Sequence, residues 1–470
     1  MTVTMTATTQ NKIIVLDDDP TGSQTVHSCQ LLTRWDAATL EAALLDEAPL
    51  FFVLTNTRGM TASQAAEVTR QVCRNLKLAL ADLAAGGVVF NPIYVSRSDS
   101  TLRGHYPVET DVMAEELGPF DAHFLTPAFF EGGRITRDSI HYLMVAGEPK
   151  PVHETEFARD SVFAYRHSYL PDYVQEKTAG RIPADTVERF TLEDVRDNLL
   201  PRLMALQGNR CCVVDAERQT DMNVFADQMQ EAVRRGKRFL FRSAASLLTS
   251  LAFLPPQPVA DDDMHVYVRG RRAGAVLVGS HVKKTTAQLG YLLNEPGVVG
   301  LEVDVSRVDN DRVDLLAEVL ARAADAHAQD LTPVIYTSRV ELQFADQAER
   351  LAFGTRVSSF LMDVVRGLPT SLGYLISKGG ITSNDVLSDG LALKSATVLG
   401  QILPGCSVVR CPPDHPRFPE LPVVIFPGNV GDDEALATVY RRLSVKGDTL
   451  VKGDATLFQQ KKGSVPFNMP

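Results

Sequence analysis

The amino-acid sequence predicts an α/β protein: two α/β domains with largely parallel sheets, and a ligand site in the cleft between them. Three observations predict it. The chain has 470 residues, more than one ordinary core holds, which implies two domains of roughly 200 residues each. Short apolar runs alternate with helix-period segments, as parallel strands joined by crossover helices require. Polar and Gly-rich segments recur where those runs end, and that is where open α/β sheets bind ligands.

Residues 1–11 are polar and Thr-rich and are expected to be disordered. In the first domain, 12–254, the strand-like runs are IIVL (13–16), LFFVL (50–54), IYV (93–95), HFL (123–125), CCVVD (211–215) and FLF (239–241). The helix after the second run is well marked. Thr61 and Gln64 form a capping box, an apolar stripe follows at Val68, Val72, Leu76, Ala79 and Leu83, and Gly86–Gly87 stop it. Residues 255–268, opening with PPQPVADDD, read as an exposed linker. Runs resume in the second domain, 269–444, at AVLVG (275–279), PVIYT (333–337), GYLIS (373–377), SVVR (407–410) and VVIF (423–426). Residues 445–470, with VKGD twice, read as a tail.

Composition narrows the function. The chain is 44% hydrophobic and 22% charged, ordinary for a folded protein. With 47 basic against 58 acidic residues, a net charge of −11 and no long basic run, it does not read as a nucleic-acid binder. A few arginines in one cleft could still hold a small anion. No apolar stretch is long enough for a membrane helix and no secretory leader is visible, so no membrane partner is expected and the cytoplasm is the expected location. The six cysteines form no C-x-x-C pair and read as buried free thiols of a reducing compartment. No H-x-x-x-H pair occurs, and no metal is expected to be held directly by protein ligands. His141 reads as a core or supporting residue.

Seven strand-like runs are followed at once by polar, hydroxyl- or Gly-rich segments. DDDPTGSQ (17–24) puts Asp18 and Asp19 at a strand end, where carboxylates bind polyols, hold Mg²⁺ through water or take a hydroxyl proton; the same residues also favour plain turns. SRSDSTLRGH (96–105) gathers Arg97, Ser98, Asp99, Ser100, Thr101 and Arg103. Guanidinium groups pair with carboxylates, and hydroxyls and a carboxylate bind sugar hydroxyls. The set suits a ligand with one carboxylate and several hydroxyls, toward which Arg58 (in TNTRG) and Arg134 (in TPAFFEGGR) would converge. The second-half segments GSHVKKTTAQ (279–288), SKGGITSND (377–385) and PGNVGDDEA (427–435) are poor in arginine and rich in Gly, Ser and Thr. Such backbone approaches phosphate oxygens closely, and a following helix adds its positive end. Neither a P-loop nor a dinucleotide fingerprint is present. Asp432, Asp433 and Glu434 read as first-turn acids of a helix.

From about residue 12 to about 440 these motifs resemble the four-carbon acid sugar kinase family: DDDPTG, TNTRGMTASQAA, SDSTLRGH, PAFFEGGR, GSHVKKTTAQL, GGITSNDVL and PGNVG, in that order. The resemblance implies phosphorylation of threonate, erythronate, their 3-oxo forms or 3-oxo-isoapionate, with ATP and Mg²⁺ as cofactors and a homodimer as the default assembly. It places the acid on Asp18, Asp19, Arg58, on Arg97 to Thr101 and on Arg103, and the nucleotide on Ser280, Lys378, Gly379, Gly380, Ile381, Thr382, Gly428, Asn429 and Gly431. Domain closure over the linker would exclude water. The sequence departs from the family at Pro20, Gln24, His27 and Ser139, and lacks a lysine before PGNVG. The alternatives are a hydroxy-acid dehydrogenase and a regulator that binds a sugar acid without turnover.

Overall fold

The structure is a computed structural model that describes residues 10–280, 282–339, 344, 347–428 and 430–444. The expected disordered start lies outside them except for residues 10 and 11, which are already strand, and the tail 445–470 lies outside entirely.

The first half contributes strands β1 (Gln10–Asp17), β2 (Cys29–Leu32), β3 (Leu50–Leu54), β4 (Phe90–Arg97), β5 (Ala122–Thr126), β6 (Arg134–Arg137), β7 (Ile140–Val145), β8 (Glu148–Pro151), β9 (Glu188–Phe190), β10 (Arg210–Val214) and β11 (Phe239–Ser243). The second contributes β12 (Ala275–Val278), β13 (Val298–Val303), β14 (Thr332–Thr337), β15 (Leu375–Lys378), β16 (Ser395–Leu403), β17 (Cys406–Arg410) and β18 (Pro422–Phe426). Fifteen of them form one sheet in the order β13-β14-β12-β15-β18-β17-β16-β2-β3-β1-β4-β11-β5-β10-β9. Both ends of it are parallel blocks; β16 and β17 pair antiparallel with their neighbours, and β16 joins β2 from Ser395↔Leu32 to Val398↔Cys29.

The inner strands of each parallel block are buried on both faces, which explains runs such as LFFVL with no exposed position. In the first block β1 lies between β3 and β4, and in the second β12 lies between β14 and β15. At both places the chain reverses its direction of travel across the sheet. These are topological switch points, and the crevice outside the strand ends there accepts ligands. The two blocks run in opposite senses. Adjacent strands twist by about 20–25°, so the six steps from β1 to β15 turn one block against the other by roughly 120–150°. That rotation brings both sets of carboxyl ends to one cleft.

The helix Ala62–Ala85 has the predicted capping box and ends at Gly86, with Val72, Leu76 and Ala79 buried. The expected linker is partly built into the second half: Asp261–Tyr267 is 3₁₀ helix, Met264 is buried, and Asp261 and Asp262 pair with Arg442 at 2.9 and 2.6 Å. Helix Ala435–Leu443 begins after Glu434, so the three acids precede it instead of forming its first turn. Strands β6–β8 make a separate antiparallel sheet at the start of an insert in the first half. All six cysteines are buried and free. Among the described residues no helix is long and apolar enough to cross a membrane.

Candidate active site

A cleft cavity of about 730 Å³ is lined from both halves, by Asp19, Arg58, Arg97, Asp99, Ser100, Arg103 and Arg134 on one side and by Gly380, Gly428 and Gly431 on the other. Its volume falls within the usual range for ligand sites.

The first wall rests on a buried ionic lattice. Asp17 closes β1, is fully buried, and meets Arg97 Nη1 at 3.4 Å through Oδ1, while its Oδ2 has no partner. Asp18 is 1% exposed and accepts from Arg58 Nη2 at 2.5 Å and Nε at 3.3 Å. Arg58 Nη1 also donates to Asp19 at 3.2 Å. Behind them Arg242, on β11, donates to Ser96 and Glu109 at 2.6 Å, and Thr57 donates to the other oxygen of Glu109 at 2.5 Å. Burial pushes the Asp17 carboxyl up to about 7, against the pull of Arg97. Burial also raises Asp18, against Arg58. On Asp19 burial acts upward too, but Arg58 and the Thr21 hydroxyl outweigh it and hold the group below the usual carboxylate range. On Asp99 burial is likewise outweighed, by Arg58 and Arg103, leaving that carboxyl well below its ordinary value. Asp19 is thus an ionised carboxylate on the cavity wall.

The cations are not all spent on these acids. Arg103 is paired with Asp99 at 2.7 Å and Asp160 at 3.6 Å and stacks on Phe157. Arg97, 3% exposed, and Arg134 each keep a buried Nε with no partner, and both line the cavity. Buried N–H groups without acceptors are costly. Both guanidinium groups nevertheless add positive charge to the cavity wall.

The second wall is backbone. β15 ends at Lys378, Gly379 turns with φ +121°, and helix Gly380–Asp385 follows. A Cβ on Gly379 would lie 3.2 Å from Thr382 Oγ1 and 3.6 Å from Ser280 Cβ, so these three predicted residues do meet. A Cβ on Gly380 would lie 3.8 Å from Asp19 Oδ2, which places that carboxylate directly across from the turn. Gly428 faces open space, and Gly431, at φ +78°, leaves no room for a Cβ beside Ala435.

Several predicted residues support the cavity without lining it. Asp18 lies under Arg58, and Ser98 and Thr101 are buried in the loop base. Lys378 is fully buried, lies 4.0 Å from the Phe426 ring centroid, and donates to the carbonyls of Pro427 at 2.6 Å and Gly428 at 3.3 Å. Burial lowers its pKa to about 7. Ile381 is 75% exposed, and Asn429 lies outside the described residues. Sequence reasoning missed Gln288, whose Nε2 donates to the carbonyls of Val430 at 3.0 Å and Asp432 at 2.7 Å. It also missed Glu109, Arg242 and the Leu403–Gly405 hairpin on the cavity rim. The strand β16 that carries this hairpin was not read, although Pro404–Gly405 is a turn signal.

Fold and site together define a two-domain α/β protein whose cleft sets an arginine-rich wall against a glycine-rich one. Residues 13–251 match the model of a sugar-binding N-terminal domain, and residues 275–436 that of a nucleotide-binding C-terminal domain. The chain belongs to the four-carbon acid sugar kinase family. It is 24% identical over 461 residues to a D-erythronate kinase of Heliobacterium modesticaldum, covering 93% of this chain and 98% of that protein. It is 28% identical over 222 residues to a D-threonate kinase of Bordetella bronchiseptica, covering 43% of this chain and 51% of that one. A solved Haemophilus influenzae protein shares the fold with a TM-score of 0.62 at 16% identity, over 92% of this chain and all of that one. A Salmonella typhimurium LT2 structure, provisionally labelled a tRNA synthase, shares it with a TM-score of 0.66 at 18% identity, over 93% and 100%.

Proposed function

We propose that the protein is an ATP-dependent kinase that phosphorylates a hydroxyl of a small sugar acid, of the tetronate or 3-oxo-tetronate class or 3-oxo-isoapionate. The observation that carries this reading is the position of Asp19: an ionised carboxylate of the acid-binding wall faces the Gly380 turn of the phosphate-binding wall. An acceptor hydroxyl held by Asp19 would point at a phosphate held by that turn. The guanidinium groups of Arg97 and Arg134, both on the cavity wall, would take the substrate carboxylate through charge-assisted hydrogen bonds.

Phosphoryl transfer depends on alignment and charge neutralisation more than on a strong base. Asp19 orients the hydroxyl and accepts its proton while the oxygen forms its bond to the γ-phosphorus. The bond from that phosphorus to the β–γ bridging oxygen breaks, and ADP leaves. The residues fit a nucleotide: a glycine turn at a helix start and an open Gly428 leave room for phosphate oxygens. Mg²⁺ would be held mainly by phosphate and water. When bound, Mg²⁺ supplies charge neutralisation at the phosphates.

The test is ADP release from ATP and Mg²⁺ with D-erythronate, D-threonate, their 3-oxo forms and 3-oxo-isoapionate. Release with one class of acid is the expected result. Absence of both ADP release and a melting shift with ATP would overturn the reading.

A further inference from the structure

The insert of the first half adds no strand to the large sheet between β5 and β9, yet it grips one segment of the cavity wall residue by residue. His141 Nε2 donates to the carbonyl of Ser100 at 2.7 Å. The Tyr165 hydroxyl donates to the carbonyl of Thr101 at 2.7 Å, and the Tyr173 hydroxyl to that of Leu102 at 2.9 Å. The next residue, Arg103, pairs with Asp160 and stacks on Phe157, both of the insert. Four consecutive residues are thus fixed by one structural element.

The gripping side chains are themselves fixed. His141, Tyr165 and Tyr173 are 0%, 4% and 2% exposed. Thr136 Oγ1 lies 2.9 Å from His141 Nδ1, which sets the ring with Nδ1 accepting and Nε2–H donating. Tyr173 meets Tyr165 edge-on at 5.7 Å and stacks on Tyr106 at 5.9 Å. Leu102 is held at φ +66°, a left-handed conformation that a leucine adopts only under constraint.

The consequence lies on the other side of the loop. Three carbonyls are drawn toward the insert, while Ser100, Asp99 and Arg103 line the cavity. The N–H of each following residue points opposite to a held carbonyl; that of Leu102 donates to the Asp99 carbonyl at 3.2 Å, whereas among the described residues those of Thr101 and Arg103 donate to no protein acceptor. Free N–H groups in a turn make a concave anion site.

We propose that the insert is a positioning element for the acid subsite, with His141, Tyr165 and Tyr173 as positioning residues that hold the Ser100, Thr101 and Leu102 carbonyls so that the N–H groups of Thr101 and Arg103 and the side chain of Ser100 meet a polyhydroxy carboxylate. The proposal rests on the kinase reading above for the identity of that ligand. Its experiment separates the two. Tyr165→Phe, Tyr173→Phe and the double variant keep the rings and remove the donors. His141→Leu removes its donor and His141→Gln keeps one. Steady-state kinetics with D-erythronate and D-threonate are measured alongside amide hydrogen exchange of peptides spanning 97–106 in the full chain.

A lost hydrogen bond of this kind corresponds to about a 3- to 10-fold change. Each Tyr variant is expected to raise the KM for the accepted acid by about that factor, and the double variant by about 10- to 100-fold. The KM for ATP should stay within about twofold, since the grip touches the acid loop alone, and His141→Gln should recover part of what His141→Leu loses. Exchange should accelerate in 97–106 and not across the whole first half. Equal rises in both KM values, unchanged KM and exchange in the double variant, or acceleration spread over the half would overturn the proposal. If the wild-type chain turns over neither acid, the ligand assignment fails, and exchange alone decides the grip by the same criterion.

Discussion

Gly22, the glycine of DDDPTG, is required by space. Its φ is ordinary, but a Cβ there would fall 1.9 Å from Asp17 Oδ2 and 2.2 Å from Oδ1. Asp17 cannot retreat easily. It is fully buried at the end of β1, paired in register with Leu54 of β3 and Arg97 of β4. Reaching an ordinary 3.4 Å contact requires a shift of about 1.5 Å in the carboxylate or the loop. Overpacking at a site this constrained costs about 2–3 kcal/mol, the upper part of the usual range. For a half of this size that lowers the melting temperature by about 4–12 °C. Because Asp17 Oδ1 also accepts from the Asp19 N–H at 3.4 Å, turnover of Gly22→Ala should fall at least about tenfold. Differential scanning calorimetry and the ADP assay read both effects. Asp17→Ala combined with Gly22→Ala removes the clashing carboxylate, so the double variant should melt closer to Asp17→Ala alone than additivity allows. A Gly22→Ala variant with wild-type melting and turnover would refute the steric account.

Asp19→Asn should lower kcat at least about 100-fold while the melting shift with ATP is kept; turnover within threefold of wild type would take Asp19 out of the chemistry. Arg58→Met leaves Asp18 buried with only the longer contact to Arg97 Nη1 at 3.9 Å, and should destabilise the fold by about 3 kcal/mol in urea titration. The loss should be smaller at pH 5 than at pH 8, because protonation relieves the stranded carboxylate. Asp17 has its folded pKa raised to about 7, so its contribution to stability is complete below the unfolded value near 4 and is lost as pH rises through 7. Asp17→Asn removes that titration, and the variant should gain on wild type in urea melts between pH 4 and pH 7; a constant difference would contradict the burial of a protonated carboxyl. Arg134→Gln should raise the KM for the acid at least about tenfold and leave the KM for ATP unchanged.

Much of this architecture was legible because its signals are local. LFFVL became β3 residue for residue, and Thr61 and Gln64 capped their helix as the T-x-x-Q spacing required. The segments that were predicted to form the site follow strand ends, and the strand-end rule holds at both switch points. What escaped lacks a local signal. Strand β2 is four residues long and holds Gln30, and β16 carries two irregularities in its pairing, so neither shows a clean alternation. Arg242 in FLFRS and Glu109 in PVETDV look like ordinary strand-end and helix residues, and their pairing spans 133 positions. Lys378 and Thr101 belong to the right segments but lie buried behind the residues that line the cavity, since a single sequence does not say which residues of a loop are outermost.

The β2–β16 ladder has a consequence for the inheritance of the two halves. Severed from each other, the first half would present Cys29–Leu32 and the second Ser395–Leu403 as raw sheet edges, open to strand addition by any passing chain. Each half is therefore the other's edge protection. Recombination that swapped one half for a relative's would have to preserve the four-residue register from Ser395↔Leu32 to Val398↔Cys29.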